Sequence, residues 1–339
     1  MTRLTQSIKN LTRLTSLSTR VLADINVGTA FVQRPPSYTV PAFSGSGGVA
    51  GYFGGGDDGA NISGIDKITF PADSKTTLTA TLSTARSEVA GMANSGTAGY
   101  FGGGTDGANI SGIDKITFPA DTKTTLTATL SAAIQQTAGM ANSGVAGYFG
   151  GGNPGTRVNT IDKITFSADS RTTLSATLTS ALSSSGGMAN SGYAGYFGGG
   201  YNGAANLSAI DKITFPADTK TTLSATLTTA RRALAGMANS GVAGYFGGGL
   251  DANYISAIDK ITFSADTKTT LSATLTSALF ILAGMANSGV AGYFGGGTGA
   301  SNVNTIDKIT LPADSKTTLS ATLTTARYAL AGMANSGSL

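Results

Sequence analysis

One repeated stretch determines the expected architecture of this chain. Residues 49–96 read VAGYFGGGDDGANISGIDKITFPADSKTTLTATLSTARSEVAGMANSG, and three strings of this unit recur in six copies. GYFGGG begins at Gly51, Gly99, Gly147, Gly195, Gly244 and Gly292. IDKIT begins at Ile65, Ile113, Ile161, Ile210, Ile258 and Ile306, and GMANSG begins at Gly91, Gly139, Gly187, Gly236, Gly284 and Gly332. Periods of about 20–50 residues indicate repeat architectures, in which each unit packs on its neighbours.

Each unit reads as four short β-strands. A Ser-Gly turn separates the GMANSG segment from the GYFGGG segment, ISGIDKITF alternates enough for a strand, and segments such as TTLSATL are rich in Thr and Leu. A Pro/Ser-Ala-Asp turn separates the last two strands. Glycine clusters and β-branched residues interrupt every possible helix. The sequence therefore predicts an all-β six-bladed β-propeller of four-stranded blades over residues 48–339.

The ends of the repeat array predict how the ring closes. No GMANSG string precedes Gly51, whereas a spare copy lies at residues 332–337. We expect residues 329–336 to supply the innermost strand of the blade begun by residues 49–55, because closure removes two exposed sheet edges. Gly and Ala of GMANSG suit the crowded axis, and its Met should pack between blades. The Asp and Lys of IDKIT, on opposite faces of their strand, could form ion pairs between successive blades.

The residues also carry a family resemblance. A hydrophobic strand that ends in Gly-Gly, a later strand that holds an Asp, and the arginines Arg86, Arg231 and Arg327 near the ends of three units resemble kelch repeats. The resemblance implies kelch-like blades. The chain departs from it where Leu replaces the expected Trp, at Leu78, Leu126, Leu174, Leu223, Leu271 and Leu319. Near-identical copies of this kind also resemble propeller proteins of tailed phages, including phages of cyanobacteria.

Composition argues against most catalytic chemistry. The chain has no Cys, no His and no Trp, so thiolate nucleophiles, His-based triads, disulfides and the usual zinc sites are excluded. Glu88 is its only Glu, which disfavours a propeller hydrolase or lyase that needs paired carboxylates. The G-x-G-x-x-G string at residues 54–59 precedes a predicted strand instead of a helix, so it is not a phosphate site. We therefore expect no catalytic residues, no cofactor and no metal.

The first 47 residues form a separate module. Residues 1–34 carry the whole formal charge of +4, whereas the remainder of the chain is balanced. Apolar residues recur every three or four positions and predict a basic amphipathic helix that anchors the protein to a partner. These residues are Leu4, Ile8, Leu11, Leu14, Leu17, Val21 and Ile25. Residues 35–47 are rich in Pro, Gly and Ser and predict a linker.

Comparison of the six copies predicts a binding surface. The Asn-Ser-Gly turn and the Pro/Ser-Ala-Asp turn scarcely vary, whereas the loops after GYFGGG and the segments before GMANSG differ in every copy. In an antiparallel four-stranded blade both variable sets lie on the same face, and function concentrates in such loops. The alternative is that these loops vary only because they are exposed to solvent and nothing constrains their sequence. We interpret Asp57, Asp58 and Asp106 as solvated acidic residues of turns and not as ligands of a calcium site. The candidate residues are Asp57, Asp58, Asp106, Arg157, Tyr201, Asn202, Arg232, Asp251, Tyr254, Phe280 and Tyr328.

Three functional hypotheses follow. The first is a non-enzymatic structural and adhesive protein of a tailed-phage virion, such as a tail fibre or surface appendage. Residues 1–34 would bind other virion proteins, and the propeller would recognise a host-surface glycan or protein, within a larger homo-oligomeric assembly. The second is an intracellular, cytoplasmic kelch-type interaction scaffold, and the third, which composition disfavours, is a propeller enzyme. No apolar run is long enough to span a membrane, and a neutral propeller does not suit nucleic acid.

Overall fold

The computed structural model describes residues 49–335 and contains no helix in that range. Within it, 24 strands form six antiparallel four-stranded sheets, which confirms the six-bladed propeller. The predicted helix of residues 1–34 and the linker of residues 35–47 lie outside the described residues.

Each sheet is one blade, and its strands are short. Blade 1 contains β1 (Ala50–Gly54), β2 (Ile65–Thr69), β3 (Ser74–Thr77) and the last strand, β24 (Ala331–Ala334). Blade 2 contains β4 (Ala90–Asn94), β5 (Ala98–Gly102), β6 (Ile113–Thr117) and β7 (Thr122–Thr125). Blade 3 contains β8 (Ala138–Asn142), β9 (Ala146–Gly150), β10 (Ile161–Thr165) and β11 (Ser170–Thr173). Blade 4 contains β12 (Gly186–Asn190), β13 (Ala194–Gly198), β14 (Ile210–Thr214) and β15 (Thr219–Thr222). Blade 5 contains β16 (Ala235–Asn239), β17 (Ala243–Gly247), β18 (Ile258–Thr262) and β19 (Thr267–Thr270), and blade 6 contains β20 (Ala283–Asn287), β21 (Ala291–Gly295), β22 (Ile306–Thr310) and β23 (Ser315–Thr318).

The two ends of the described chain meet in blade 1. Strand β24 pairs antiparallel with β1, with Tyr52 opposite Met333 and Gly54 opposite Ala331. The order β24-β1-β2-β3 matches the order of the other blades, in which the GMANSG strand is innermost. The predicted ring closure is therefore confirmed.

The axis of the ring requires glycine. A Cβ atom on Gly91 of blade 2 would lie 2.3 Å from the carbonyl oxygen of Gly332 in blade 1, a distance that no real contact allows. The equivalent glycines of the other blades are in the same position. Six inner strands can therefore converge only because these residues lack side chains.

The hydrophobic core lies between the blades. In the first interface, Tyr52 and Met333 of blade 1 cluster with Phe101 and Phe118 of blade 2, and five equivalent clusters complete the ring within the described residues. The Tyr52 and Phe118 rings stack with their centroids 5.0 Å apart. The six described methionines are fully buried, which confirms that they pack between blades. Each large apolar side chain buried in this way contributes about 1.5–3 kcal/mol.

The outer strand of each blade differs from the prediction. The expected TTLSATL-type strand begins two residues earlier and ends after its first two residues, as Ser74–Thr77 in blade 1, and the Leu-rich remainder is irregular. The reason is burial of Leu82, which is 3% exposed and packs into the core between blades 1 and 2. The chain leaves the sheet after Leu78 donates to the Ile65 carbonyl, because Leu82 must turn inward.

Side chains join neighbouring blades at one face of the ring, called here the constant face and formed by the Asn-Ser-Gly and Pro/Ser-Ala-Asp turns. The Tyr52 hydroxyl and the Lys67 ammonium group of blade 1 donate to Asp121 of blade 2 at 2.8 and 2.6 Å. Burial raises the pKa of Tyr52 well above its ordinary value, and the hydrogen bond to Asp121 and the charge of Asp121 add to this shift. Each of the six interfaces repeats this arrangement, with the acceptors Asp121, Asp169, Asp218, Asp266, Asp314 and Asp73.

A second side-chain link lies nearer the axis of the constant face. The Gly144 N–H group donates to the Asn94 side-chain oxygen of the preceding blade at 2.8 Å, and the Ser95 N–H group donates to the Ser143 hydroxyl at 2.9 Å. Further copies of the asparagine link occur at Asn142, Asn190, Asn239 and Asn335. The turn sequence is therefore constant because its side chains carry the contacts between blades.

The Asp and Lys of IDKIT do join successive blades, but they do not pair with each other. Lys67 reaches the turn aspartate described above, whereas Asp66 faces the preceding blade. Arg327 donates to Asp66 at 3.0 Å, with both side chains at most 2% exposed. Burial lowers the pKa of Arg327, and the charge of Asp66 opposes that shift.

Candidate binding face

Both variable sets of residues lie at the other face of the ring, called here the variable face. It is formed by the loops between the second and third strands of each blade and by the segments that lead into each inner strand. Antiparallel pairing places these two sets at the same end of each sheet. Backbone bridges then join them directly, for example Asp57 to Tyr328, Arg232 to Leu250 and Phe280 to Thr298.

The variable face is closed at the axis by a ring of backbone hydrogen bonds. Each N–H group of six equivalent residues donates to the carbonyl oxygen of the previous one, at 2.7 to 3.2 Å. The residues are Glu88, Gln136, Ser184, Ala233, Ile281 and Ala329, all with positive φ. Because the backbone makes these links, the six side chains are free to differ.

A cavity of about 140 Å³ lies at the axis and is lined by this ring. Its acidic residue, Glu88, accepts a hydrogen bond from the Gln136 amide at 2.8 Å. Burial raises the pKa of Glu88, and the Gln136 hydrogen bond acts in the opposite direction. This cavity could not be predicted from the sequence, because no repeated string marks the residues that meet at the axis.

The predicted acidic residues mainly accept hydrogen bonds from backbone groups of their own loops. Asp57 and Asp106 accept hydrogen bonds from the backbone N–H groups of Gly59 and Ala108, and Asp251 accepts one from Asn253. Asn202 accepts in the same way from Ala204 and Ala205, and Asp58 is exposed. Between residues 49 and 335, no three Asp, Glu, His or Cys side chains come close enough to hold a metal ion.

Burial raises the pKa of the Tyr328 hydroxyl, and the charges of Asp57 and Glu88 add to the shift. The Tyr328 backbone pairs with that of Asp57, so Tyr328 lies beside the acidic loop of blade 1. The loops of blades 3 and 4 instead contribute Arg157, and the segment that leads into blade 5 contributes Arg232. Among the described loops of the variable face, Asp57, Asp58 and Asp106 thus lie over blades 1 and 2, whereas Asp251 is the one acidic loop residue over blades 3 to 6.

Arg157 and Arg232 meet at one aromatic ring. Their guanidinium carbons lie 4.5 and 4.9 Å from the centroid of the Tyr201 ring. Such cation–π contacts contribute about 0.5–1 kcal/mol each at exposed sites. The structure therefore brings together three of the predicted residues that come from different blades.

Tyr254 and Phe280 form a second aromatic group. Their rings stack 5.1 Å apart at an interplanar angle of 7°, and Tyr254 is 44% exposed. The Leu250 backbone pairs with both Arg232 and Tyr254, so the two groups are neighbours along the face. Large exposed aromatic side chains of this kind favour contact surfaces.

Comparisons with known proteins do not assign a family to the chain. No protein-family model matches it, and no curated protein is similar in sequence. No helix among residues 49–335 is long and apolar enough to cross a membrane.

Proposed function

We propose that this protein is a non-enzymatic recognition protein that uses the variable face of its propeller to bind a surface partner. The observation that supports the proposal is that side chains join the blades at the constant face, whereas a backbone ring joins them at the variable face. A ring of backbone hydrogen bonds joins all six blades at the variable face, so most side chains there are available for recognition. Clustered Arg, Tyr and Phe side chains on that face suit binding, because such residues dominate contact energies.

Within this proposal, the biological setting is the virion of a tailed phage, where the partner is a glycan or protein of the host surface. The sequence resemblance to phage propellers supports this setting, and so does the basic, amphipathic pattern of residues 1–34, proposed to join other virion proteins. Removing residues 1–34 should leave a folded propeller that no longer enters its assembly. Normal incorporation of the truncated protein would refute the proposed anchor.

The binding test uses purified protein and a panel of bacterial cells that includes cyanobacteria. Labelled wild-type protein is compared with a variant that carries Ala at Tyr201, Arg232, Phe280 and Tyr328. We expect the variant to bind the responsive cells at least about tenfold more weakly, because it lacks aromatic and cationic contacts. Undiminished binding by the folded variant would refute the role of the variable face.

The alternative is an intracellular kelch-type scaffold, which would use the same face for a partner protein. Specific binding to host cells, lost in the Ala variant, favours the virion adhesin. Incorporation of the chain into purified phage particles tests the setting directly, and exclusion from all particles would favour the scaffold.

A further inference from the structure

The cluster of Arg157, Tyr201 and Arg232 places two positively charged side chains on one aromatic ring. The three residues come from the β9–β10 loop, the β13–β14 loop and the segment before β16, so three consecutive blades contribute. Both guanidinium groups contact the same ring. They are held near each other although like charges repel.

Neither arginine has a carboxylate partner in the described part of the chain. No salt bridge within 4.0 Å involves Arg157 or Arg232, whereas the buried Arg86, Arg231 and Arg327 each pair with an aspartate. Arg232 donates to the Asn206 side-chain oxygen at 3.0 Å, and the buried Nε atom of Arg157 has no hydrogen-bond partner. No ion pair among the described residues therefore neutralises either guanidinium group, and both side chains are only partly buried.

Arg157 also replaces a structural residue. Four residues before each IDKIT string, four copies have Asn, at Asn61, Asn109, Asn206 and Asn302. The Asn109 and Asn206 amides donate to backbone carbonyls of the next blade, at 3.0 and 3.1 Å. Arg157 gives up this link and contacts the ring of Tyr201 instead.

The neighbouring positions depart from the other copies in the same region. Tyr254 occupies the position of Arg157 in blade 5, and it stacks on Phe280 instead of making the asparagine hydrogen bond. At the position of Arg232, two other copies have Ser, at Ser87 and Ser183. The departures thus form one continuous arc over blades 3 to 6.

We infer that this arc binds an anionic polysaccharide, with Arg157 and Arg232 holding its carboxylate or phosphate groups. Guanidinium groups match the geometry of these anions by paired hydrogen bonds. The Tyr254–Phe280 pair offers a flat apolar surface beside them for a sugar ring. The inference rests on the proposed function, for which it names the class of surface ligand.

The test is calorimetric titration of the full chain with three probes. These are oligogalacturonate, its neutral methyl ester, and a phosphorylated oligomannoside. The test variant is R157N/R232S, which introduces only residues that other copies have at these positions. The control variant R171Q/K220Q removes two positive charges from outer strands that lie away from the arc.

Wild-type protein should bind at least one anionic probe, and added salt should weaken that binding. The ester and the R157N/R232S variant should each reduce affinity by about tenfold or more, while the control changes it by less than about twofold. Preference for oligogalacturonate over the phosphorylated oligomannoside, or the reverse, identifies the bound group as carboxylate or phosphate.

Failure of wild-type protein to bind either anionic probe would overturn the inference, as would equal affinity of R157N/R232S. The cell assay separates the two proposals. If the four-residue Ala variant loses cell binding but R157N/R232S keeps it, the anionic ligand is refuted and the recognition face stands. If the Ala variant also keeps full binding, the proposed function itself fails.

Discussion

Neighbouring blades are joined by different kinds of contact at the two faces of the propeller. On the constant face, side chains join the blades, as in the Tyr148 and Lys163 contacts to Asp218. On the variable face, a ring of backbone groups joins all six blades, as in the Gln136 N–H group that donates to the Glu88 carbonyl, and side chains such as Asn109 add links only between some of them. A side-chain link fixes the residue type, whereas a backbone link does not. The pattern of variation among the six copies therefore follows from which atoms carry the contacts.

Three buried arginines are an exception to this comparison, because they are side-chain links on the side of the variable face. Below the variable face, Arg86, Arg231 and Arg327 tie three of the six described interfaces through side chains. The other three have Ile134, Leu182 and Leu279 at the same position, and all are buried. The IDKIT aspartates of these three interfaces keep their Ser or Thr partners without a buried arginine.

The largest effect is expected from removing both kinds of link at one interface. Deletion of residues 328–339 eliminates β24, its ladder to β1 and the Asn335 contact to Gly96. Cooperative unfolding should be lost, because blade 1 loses its inner strand and the ring opens. Calorimetry would check this, with deletion of residues 337–339 as the control. A truncated protein that melts like the full chain would contradict the closure.

A smaller effect should distinguish the two kinds of buried interface. Asp66→Ala leaves Arg327 as an unpaired buried charge, so the free energy of unfolding should fall by about 3–5 kcal/mol. Asp307→Ala is the matched variant, because Asp307 accepts from Thr276 and Thr318 and has no buried arginine. Its loss should be nearer 1–3 kcal/mol, by the order of magnitude for unsatisfied hydrogen-bonding groups. Urea unfolding compares the two, and equal losses would show that Arg327 does not depend on Asp66.

The sequence predicted the blade number, the closing strand and the variable face, because each follows from comparing the six copies of the repeat with one another. It did not predict the pairing of Lys67 with Asp121, since the Pro/Ser-Ala-Asp string reads locally as a turn and its partner lies in another blade. It also did not place Arg157 beside Arg232, because loops on different blades meet only after the ring has closed. The outer strand ends earlier than predicted, because the Leu-rich part leaves the sheet to bury Leu82.

A small effect with a definite sign is expected at Glu88. Because burial raises its pKa in the folded protein, the ionised carboxylate reduces stability at neutral pH. Below the ordinary Glu pKa of 4.5, the group is protonated in both states and this cost disappears. Glu88→Gln should therefore raise Tm near pH 7, with a gain that shrinks as the pH falls to about 3.5. A lower Tm near pH 7 would show instead that the carboxylate is a structural link.

The central claim is that side chains are required to join the blades at the constant face, whereas a ring of backbone hydrogen bonds joins them at the variable face. Thermal unfolding of two variants tests it most directly. The first exchanges two variable-face residues for those of other copies, Ser184→Ala and Tyr328→Ser. The second is Asp218→Ala alone, which leaves the Tyr148 hydroxyl and Lys163 without their acceptor. We expect the single substitution to lower the free energy of unfolding by about 1–3 kcal/mol, and the two exchanges together to lower it by less. A larger loss for the two exchanges than for Asp218→Ala would contradict the account.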